Sequence, residues 1–279
     1  MTFLKQTAAA AVLALSVPAF AAIATGGTGN GELFLVVQDA TAKVSFTYDL
    51  GITMDTFITN AASTNIAAGI FPESWTFDLS TDANWNLFKS SYDVGNSTWA
   101  VMALDSTGNL QPNQHRLITT LRNTQTEANI ENTSNKQLSD GIAATTAGTF
   151  FNSVNNSGTH TPQTDYAING SSINADTDSG NGYFGTAGGL TPNFNSNAQF
   201  LSTNLYGETS SIYYVTRSST SALSSAKVLA EQYLKPDGSA ATVTFAADTL
   251  TLTVPEPSTY ALMLAGVVAV GAMARRRRA

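Results

Sequence analysis

The chain has 279 residues, 13 basic and 20 acidic side chains, a formal net charge of −7 and no cysteine. Disulfides, thiol catalysis and cysteine-ligated zinc are excluded, and the acidic balance argues against nucleic acid or an anionic membrane surface as a partner. Charged residues are only 12% of the chain, about half the usual share, yet hydrophobic residues reach 43%, so a core can form while Ser, Thr, Asn and Gln supply the polar surface.

In chain order the first element is a leader. Lys5 supplies a positive start and residues 8–17 are apolar. Ala19-Phe20-Ala21 has the small-x-small form that signal peptidase reads, which places cleavage before Ala22. Pro18 keeps the preceding residue out of the helical region and suits an extended approach to the cut. The predicted organisation is a signal peptide over 1–21, a secreted ectodomain over 22–253 and a sorting segment over 254–279.

The ectodomain opens on Gly26-Gly27-Thr28-Gly29-Asn30-Gly31, which reads as a flexible start. Residues 32–37 form an apolar run suited to a buried strand. Residues 43–48 alternate Val44, Phe46 and Tyr48 with Lys43, Ser45 and Thr47, the period of two of a half-buried strand. Asp49-Leu50-Gly51 reads as the turn after it. Further strands are predicted at 75–79, 85–88 and 98–104, with a turn cluster at 105–109.

The middle changes character. Residues 123–155 lack alternation, but Leu138, Ile142, Phe150 or Phe151, and Val154 fall near one helical face, and Ser134 stands where a cap belongs. Gly141 and Gly148 weaken that helix. Residues 156–197 are rich in Gly, Asn, Ser, Thr and Asp and read as long surface loops. Strands return at 198–206 and 211–217, and a short helix is predicted over 226–234. Two final strands, 241–246 and 249–254, flank a turn at Ala247-Asp248. Many short strands, polar turns and few helices predict a mainly β fold: an antiparallel β-sandwich-like ectodomain with one or two short helices.

The tail has three parts. Pro255-Glu256-Pro257 is followed by an apolar run over 260–274 and then by Arg275, Arg276, Arg277 and Arg278. At helical rise those residues reach roughly 22 Å, short of the ~30 Å hydrocarbon core. Ala261, Ala265, Gly266, Ala269, Gly271 and Ala272 lower the hydrophobicity further. The arginines hold their end in the cytoplasm, so everything before the run lies outside. An ordinary single-pass anchor is the plain alternative.

The box, the helix and the basic cluster, in that order and spacing, resemble the PEP-CTERM sorting signal of exopolysaccharide-producing Gram-negative bacteria. The resemblance covers residues 254–279, and the leader at the other end accompanies it. It implies that an exosortase, a membrane cysteine peptidase, recognises Pro255, Glu256 and Pro257. The enzyme would then remove the helix after transient insertion in the inner membrane and release or transfer the ectodomain. Such a removable tail leaves no transmembrane helix in the mature form. Loss of Lys5, Glu256 and the four arginines would leave 8 basic against 19 acidic residues, a net charge near −11.

Catalytic signals are weak. His115 and His160 stand beside polar or turn residues, which predicts exposure. There is no G-x-S-x-G elbow and no H-E-x-x-H pair. Gly180, Gly182 and Gly185 match G-x-G-x-x-G, but 174–179 does not read as a buried strand, nor 186–192 as a helix, so no dinucleotide is expected. Asp176 and Asp178 alternate on a Gly-containing loop as calcium ligands do, although Gly180 and Ala187 occupy positions where a calcium-loop motif needs oxygen donors. A solvated loop is the simpler reading, and no cofactor is implied. Trp75, Trp85 and Trp99 could form a sugar-stacking platform, but their place within apolar runs predicts core packing. Asn-x-Ser/Thr triplets at Asn96, Asn132, Asn155 and Asn169 are expected by chance in so hydroxyl-rich a chain.

The expected protein is a non-enzymatic extracellular or surface component associated with matrix, biofilm or exopolysaccharide. The alternatives are a carbohydrate-binding module and a secreted glycoside hydrolase using two carboxylates.

Overall fold

The computed structural model describes residues 22–27, 29–61, 74–122, 126–146, 149–157, 170–178, 182–187, 204–223, 225–234 and 239–253. The leader, the Pro-Glu-Pro box, the apolar run, the arginine cluster, His160 and Asn169 lie outside the described residues.

The strands are β1 (Glu32–Asp39), β2 (Val44–Thr53), β3 (Ser74–Asp78), β4 (Thr98–Asp105), β5 (Arg116–Arg122), β6 (Ser171–Ala175), β7 (Asn204–Leu205), β8 (Thr209–Thr216), β9 (Leu229–Gln232), β10 (Thr242–Ala246) and β11 (Thr249–Thr253). The helices are α1 (Met54–Ala61), α2 (Ala83–Ser91), α3 (Glu127–Glu131), α4 (Asn135–Thr146), α5 (Thr149–Asn155) and α6 (Phe184–Ala187). The fold is mainly β, as its sequence predicts, with more helix than expected.

All described strand pairs are antiparallel and join one sheet in the order β3-β11-β10-β8-β5-β4-β1-β2-β6, with β7 on β4 and β9 on β8. The sheet curls on itself. Tyr48 of β2 and Phe77 of β3, from near opposite ends of that order, meet edge to face at 6.4 Å. The sandwich-like character therefore comes from one sheet whose two walls face each other across a shared core.

Two hydrophobic clusters sit on the two faces of that sheet. The inner one takes alternate residues of most strands, such as Leu35, Phe46, Val101, Ile118, Ile212, Phe245 and Leu252. Helix α2 plugs it: Trp85 and Phe88 stack at 5.8 Å, and Trp85 meets Phe46 at 5.3 Å and Phe245 at 5.0 Å. The outer cluster joins Phe34, Val36, Met102 and Leu117 to Ile130, Leu138, Ile142, Phe150, Phe151, Val154 and Phe184 of the helices. Strand β1 is apolar throughout because both of its faces are covered, Leu33, Leu35 and Val37 inward and Phe34 and Val36 outward.

The helix predicted around Leu138 is present as α4 and α5, and Leu138, Ile142, Val154 and both Phe150 and Phe151 are buried. Ser134 caps it in a reciprocal box: its Oγ accepts from Gln137 N–H at 3.2 Å, while Gln137 Oε1 accepts from Ser134 N–H at 2.9 Å. Ala247 and Asp248, both at positive φ, make the expected tight turn between β10 and β11.

Other expectations are corrected. Residues 85–88 are helical, because Asp82 Oδ1 accepts from Trp85 N–H at 2.7 Å and starts α2. Strand β2 is buried on both faces and runs through Asp49, Leu50 and Gly51; Gly51, at φ 62°, lies in its irregular stretch, not in a turn. Residues 229–232 pair with β8 as β9, so 226–234 is not a helix. Within the loop-like stretch, 171–175 is a buried strand against β2.

The described residues of the glycine-rich start are fastened to the fold. Gly26 sits at φ 71° with the place of its Cβ 1.8 Å from Leu104 O, and its own carbonyl accepts from Ser106 N–H at 3.1 Å. Asn30 Oδ1 then accepts from Asp55 N–H at 2.7 Å, fastening the loop to the first turn of α1.

Candidate functional site

Strand β11 lies inside the sheet, between β10 and β3, and delivers the chain to its tail. Leu250 and Leu252 point into the inner core, where they are fully buried. Thr253, the last described residue, is in register with Thr242 of β10 and Ser74 of β3. The segment beyond it therefore leaves from a position held on both sides by backbone pairing.

The turn before β11 is held by Asp248. Its Oδ1 accepts from Trp85 Nε1–H at 2.9 Å, and its Oδ2 pairs with Lys89 Nζ at 2.7 Å. The Lys89 bond, then those from Trp85 and Tyr206, outweigh burial and hold this carboxyl below the ordinary carboxylate range.

A second charged group stands where α1 meets β4 and β5. Arg116 donates from Nε to Asp105 at 2.8 Å and from Nη1 to Asp55 at 2.7 Å. Burial raises the Asp105 carboxyl, but the Thr107 hydroxyl and N–H and the Arg116 fork prevail and leave it lowered. Asp55 and Asp105 are thus bridged by one guanidinium.

His115 is buried, against expectation. It occupies the left-handed region at φ 53° in the loop entering β5, and its Nδ1 has no hydrogen-bond partner. Burial first, and the nearby Arg217 charge second, lower its pKa, so the ring is neutral near pH 7. Arg217 is itself 1% exposed and holds its charge through carbonyls: it donates to Leu110 O at 3.1 Å, Asn135 O at 2.9 Å and Ser221 O at 3.2 Å, and to Ser139 Oγ at 2.7 Å.

The remaining candidates are scattered. Asp176 pairs with Lys43 at 3.4 Å, and Asp178 Oδ2 accepts from Ala175 N–H at 2.7 Å. Among the described residues no cluster of three His, Asp or Glu side chains is placed to hold a metal. Trp85 and Trp99 are fully buried, and Trp75 packs half-buried against Phe57 at 5.7 Å. Gly182 and Gly185 flank the start of α6, where the missing Cβ atoms make room for Asn174 and Tyr183. Asn155, one of the Asn-x-Ser/Thr residues, clamps the N-terminal segment. Its Oδ1 accepts from Ile23 N–H at 3.0 Å and its Nδ2 donates to Ile23 O at 3.1 Å.

The strand that carries the chain outward ends where a known sequence model begins. The PEP-CTERM protein-sorting motif matches residues 253–278. The chain carries a PEP-CTERM protein-sorting motif. No curated protein and no solved structure matches it. The motif implies a secreted, exosortase-processed protein at the cell surface or outside the cell, with an exosortase as its processing partner. Among the described residues no helix is long and apolar enough to cross a membrane.

Pro255, Glu256, Pro257 and the cluster Arg275–Arg278 all fall within the matched range of this sorting-motif protein. Sequence reasoning placed Asp248 in its turn without its bonds to Trp85 and Lys89, read the buried strand residue Asp49 as part of a turn, and missed Arg217. Asp248 had a detectable signal, since an Asp between two alternating Thr-rich strands marks a tight turn. For Arg217 no pattern in the chain could have indicated burial.

Proposed function

We propose that this protein is a non-enzymatic component of the extracellular matrix or cell surface, released among secreted polysaccharide. In this reading signal peptidase cuts before Ala22. The tail then inserts transiently in the inner membrane, and an exosortase acts at Pro255-Glu256-Pro257. The observation that carries the non-enzymatic part is how the strongly engaged carboxylates are used. Asp105 and Asp55 share Arg116, Asp248 binds Trp85 and Lys89, and Asp39 Oδ1 caps the turn amides of Thr41 and Ala42 at 2.9 Å. Each is engaged in bonds that support the fold, whereas a glycosidase pair needs two acids free to act on a substrate. The buried tryptophans likewise weigh against aromatic stacking as a mode of sugar binding.

The test is the intact mass and location of the protein recovered from culture. The expected result is a chain beginning at Ala22 and ending within 254–257 in the extracellular or matrix fraction, with any added mass reporting an attached group. A full-length C-terminus retained in the inner membrane would refute this reading.

A further inference from the structure

The outer faces of β10, β11 and β3 and the start of β8 carry an ordered array of hydroxyl side chains. Because Val243, Phe245, Leu250, Leu252, Trp75 and Phe77 belong to the inner core, their sequence neighbours point outward. Strand register aligns those neighbours across four strands. One row is Ser211, Thr242, Thr253 and Ser74. The next is Thr209, Thr244, Thr251 and Thr76. Every position in both rows is Ser or Thr, and every one is half-buried or exposed. In a chain with a net charge of −7, neither row contains a charged residue.

We infer that this face binds a neutral, extended polysaccharide chain laid across the strands. Steps within a row follow the strand spacing of ~4.8 Å, close to the length of one sugar residue in an extended chain, and the rows stand ~7 Å apart. Each threonine offers a methyl group to the C–H face of a sugar and a hydroxyl that both donates and accepts. Thr209 and Thr244 bond each other at 2.8 Å, which fixes their orientation. Among the described residues, the hydroxyls of Thr76, Thr242, Thr251 and Thr253 have no hydrogen-bond partner. An acidic body repels anionic polymers, and the uncharged rows offer them no cation, so the fitting ligand is neutral. Thr253 belongs to the first row and opens the matched sorting motif, so the face lies beside the point where the tail leaves the sheet.

This inference deepens the matrix reading and rests on it for the source of the glycan, but its test is separate. The full chain, recovered from culture as the cell leaves it, is run in native gels containing hydroxyethyl cellulose, dextran or carboxymethyl cellulose. Hydroxyethyl cellulose should retard it, while carboxymethyl cellulose should not. The double variant Thr244→Val/Thr251→Val keeps the β-branched shape and removes two hydroxyls. It should keep the melting temperature and bind about tenfold more weakly. Thr251→Lys provides a second, independent disruption of the same face. The inference is overturned by no retardation in either neutral polymer, by equal retardation in the anionic one, or by undiminished binding in both variants. Concentration-dependent dimerisation lost in the valine variant would instead make the face a contact between copies and also overturn it. A matrix-located protein that binds no neutral glycan sinks this inference and leaves the proposed function standing; a glycan-binding protein absent from the matrix does the reverse.

Discussion

The indole N–H of Trp85 donates to Asp248 Oδ1 at 2.9 Å, tying the helix that plugs the sheet to the turn joining its last two strands. Asp248 stands at φ 62°, and its own N–H donates to Tyr206 Oη at 2.8 Å. Asp248→Ala removes the acceptor of a buried indole and places a β-carbon residue without polar compensation in the left-handed region. The expected loss is about 2–3 kcal/mol in urea denaturation, with Asp248→Asn losing less because asparagine keeps an acceptor and tolerates that conformation. Since the folded carboxyl is held below its ordinary value, its stabilisation is full above about pH 4 and disappears as pH falls through the folded pKa. Asp248→Asn should therefore flatten the acid limb of the stability profile.

Asp49 acts in the opposite direction. It is buried on β2, and burial first, then the Glu32 charge, push its carboxyl up to about 7 despite the hydrogen bond from Gly51 N–H. Its folded pKa exceeds the unfolded one, so its contribution is full below about pH 4 and is lost as pH rises toward and through 7. The swing is on the order of 4 kcal/mol at most. Asp49→Asn should raise the denaturation midpoint at pH 8 and leave it nearly unchanged at pH 4. Equal effects at both values would sink this assignment.

How much of this was legible beforehand follows from the range of the interactions. Alternation in β2 and in β11, the turn at Ala247 and Asp248, and the apolar face of α4 and α5 are local patterns, and they read correctly. Strand β2 was read as half-buried, because the cover over Ser45 comes from Gly182 and Phe184, far along the chain. Trp85 and Phe88 are three apart with Asn86 and Leu87 between them, which fits a helix as well as a strand; the deciding feature is the cap at Asp82. The sorting motif is local and was fully readable, whereas the hydroxyl rows depend on a register that joins β3 to a strand more than a hundred residues later.

The close fit of Gly26 makes a sharper prediction than a flexible start would. Gly26 lies in the left-handed region with the Leu104 carbonyl where a Cβ would sit. Gly26→Ala must displace backbone at the end of β4 or expel the N-terminal segment, together with Ile23, which is 2% exposed. Thermal melting should fall by several degrees, corresponding to about 2 kcal/mol. Proteolysis near residue 22 should become faster. Gly27→Ala, at the exposed neighbouring position, serves as the control.

The tail gives the last prediction. Glu256 stands between two prolines, three residues after Thr253, and Thr253 is fixed in register between β10 and β3. A peptidase that reads this box must approach it close to the rim of a folded sheet. Glu256→Ala removes its one charge while leaving both prolines to fix the backbone. The expected outcome is an uncleaved chain that keeps Arg275–Arg278 and stays with the inner membrane, detected by intact mass. Inserting four Gly/Ser residues between Val254 and Pro255 tests the role of distance from the sheet. Cleavage should persist or quicken, because the added segment relieves crowding without altering the box. If the insertion abolishes cleavage while the Glu256→Ala chain is processed normally, recognition depends on the folded rim and not on the acid.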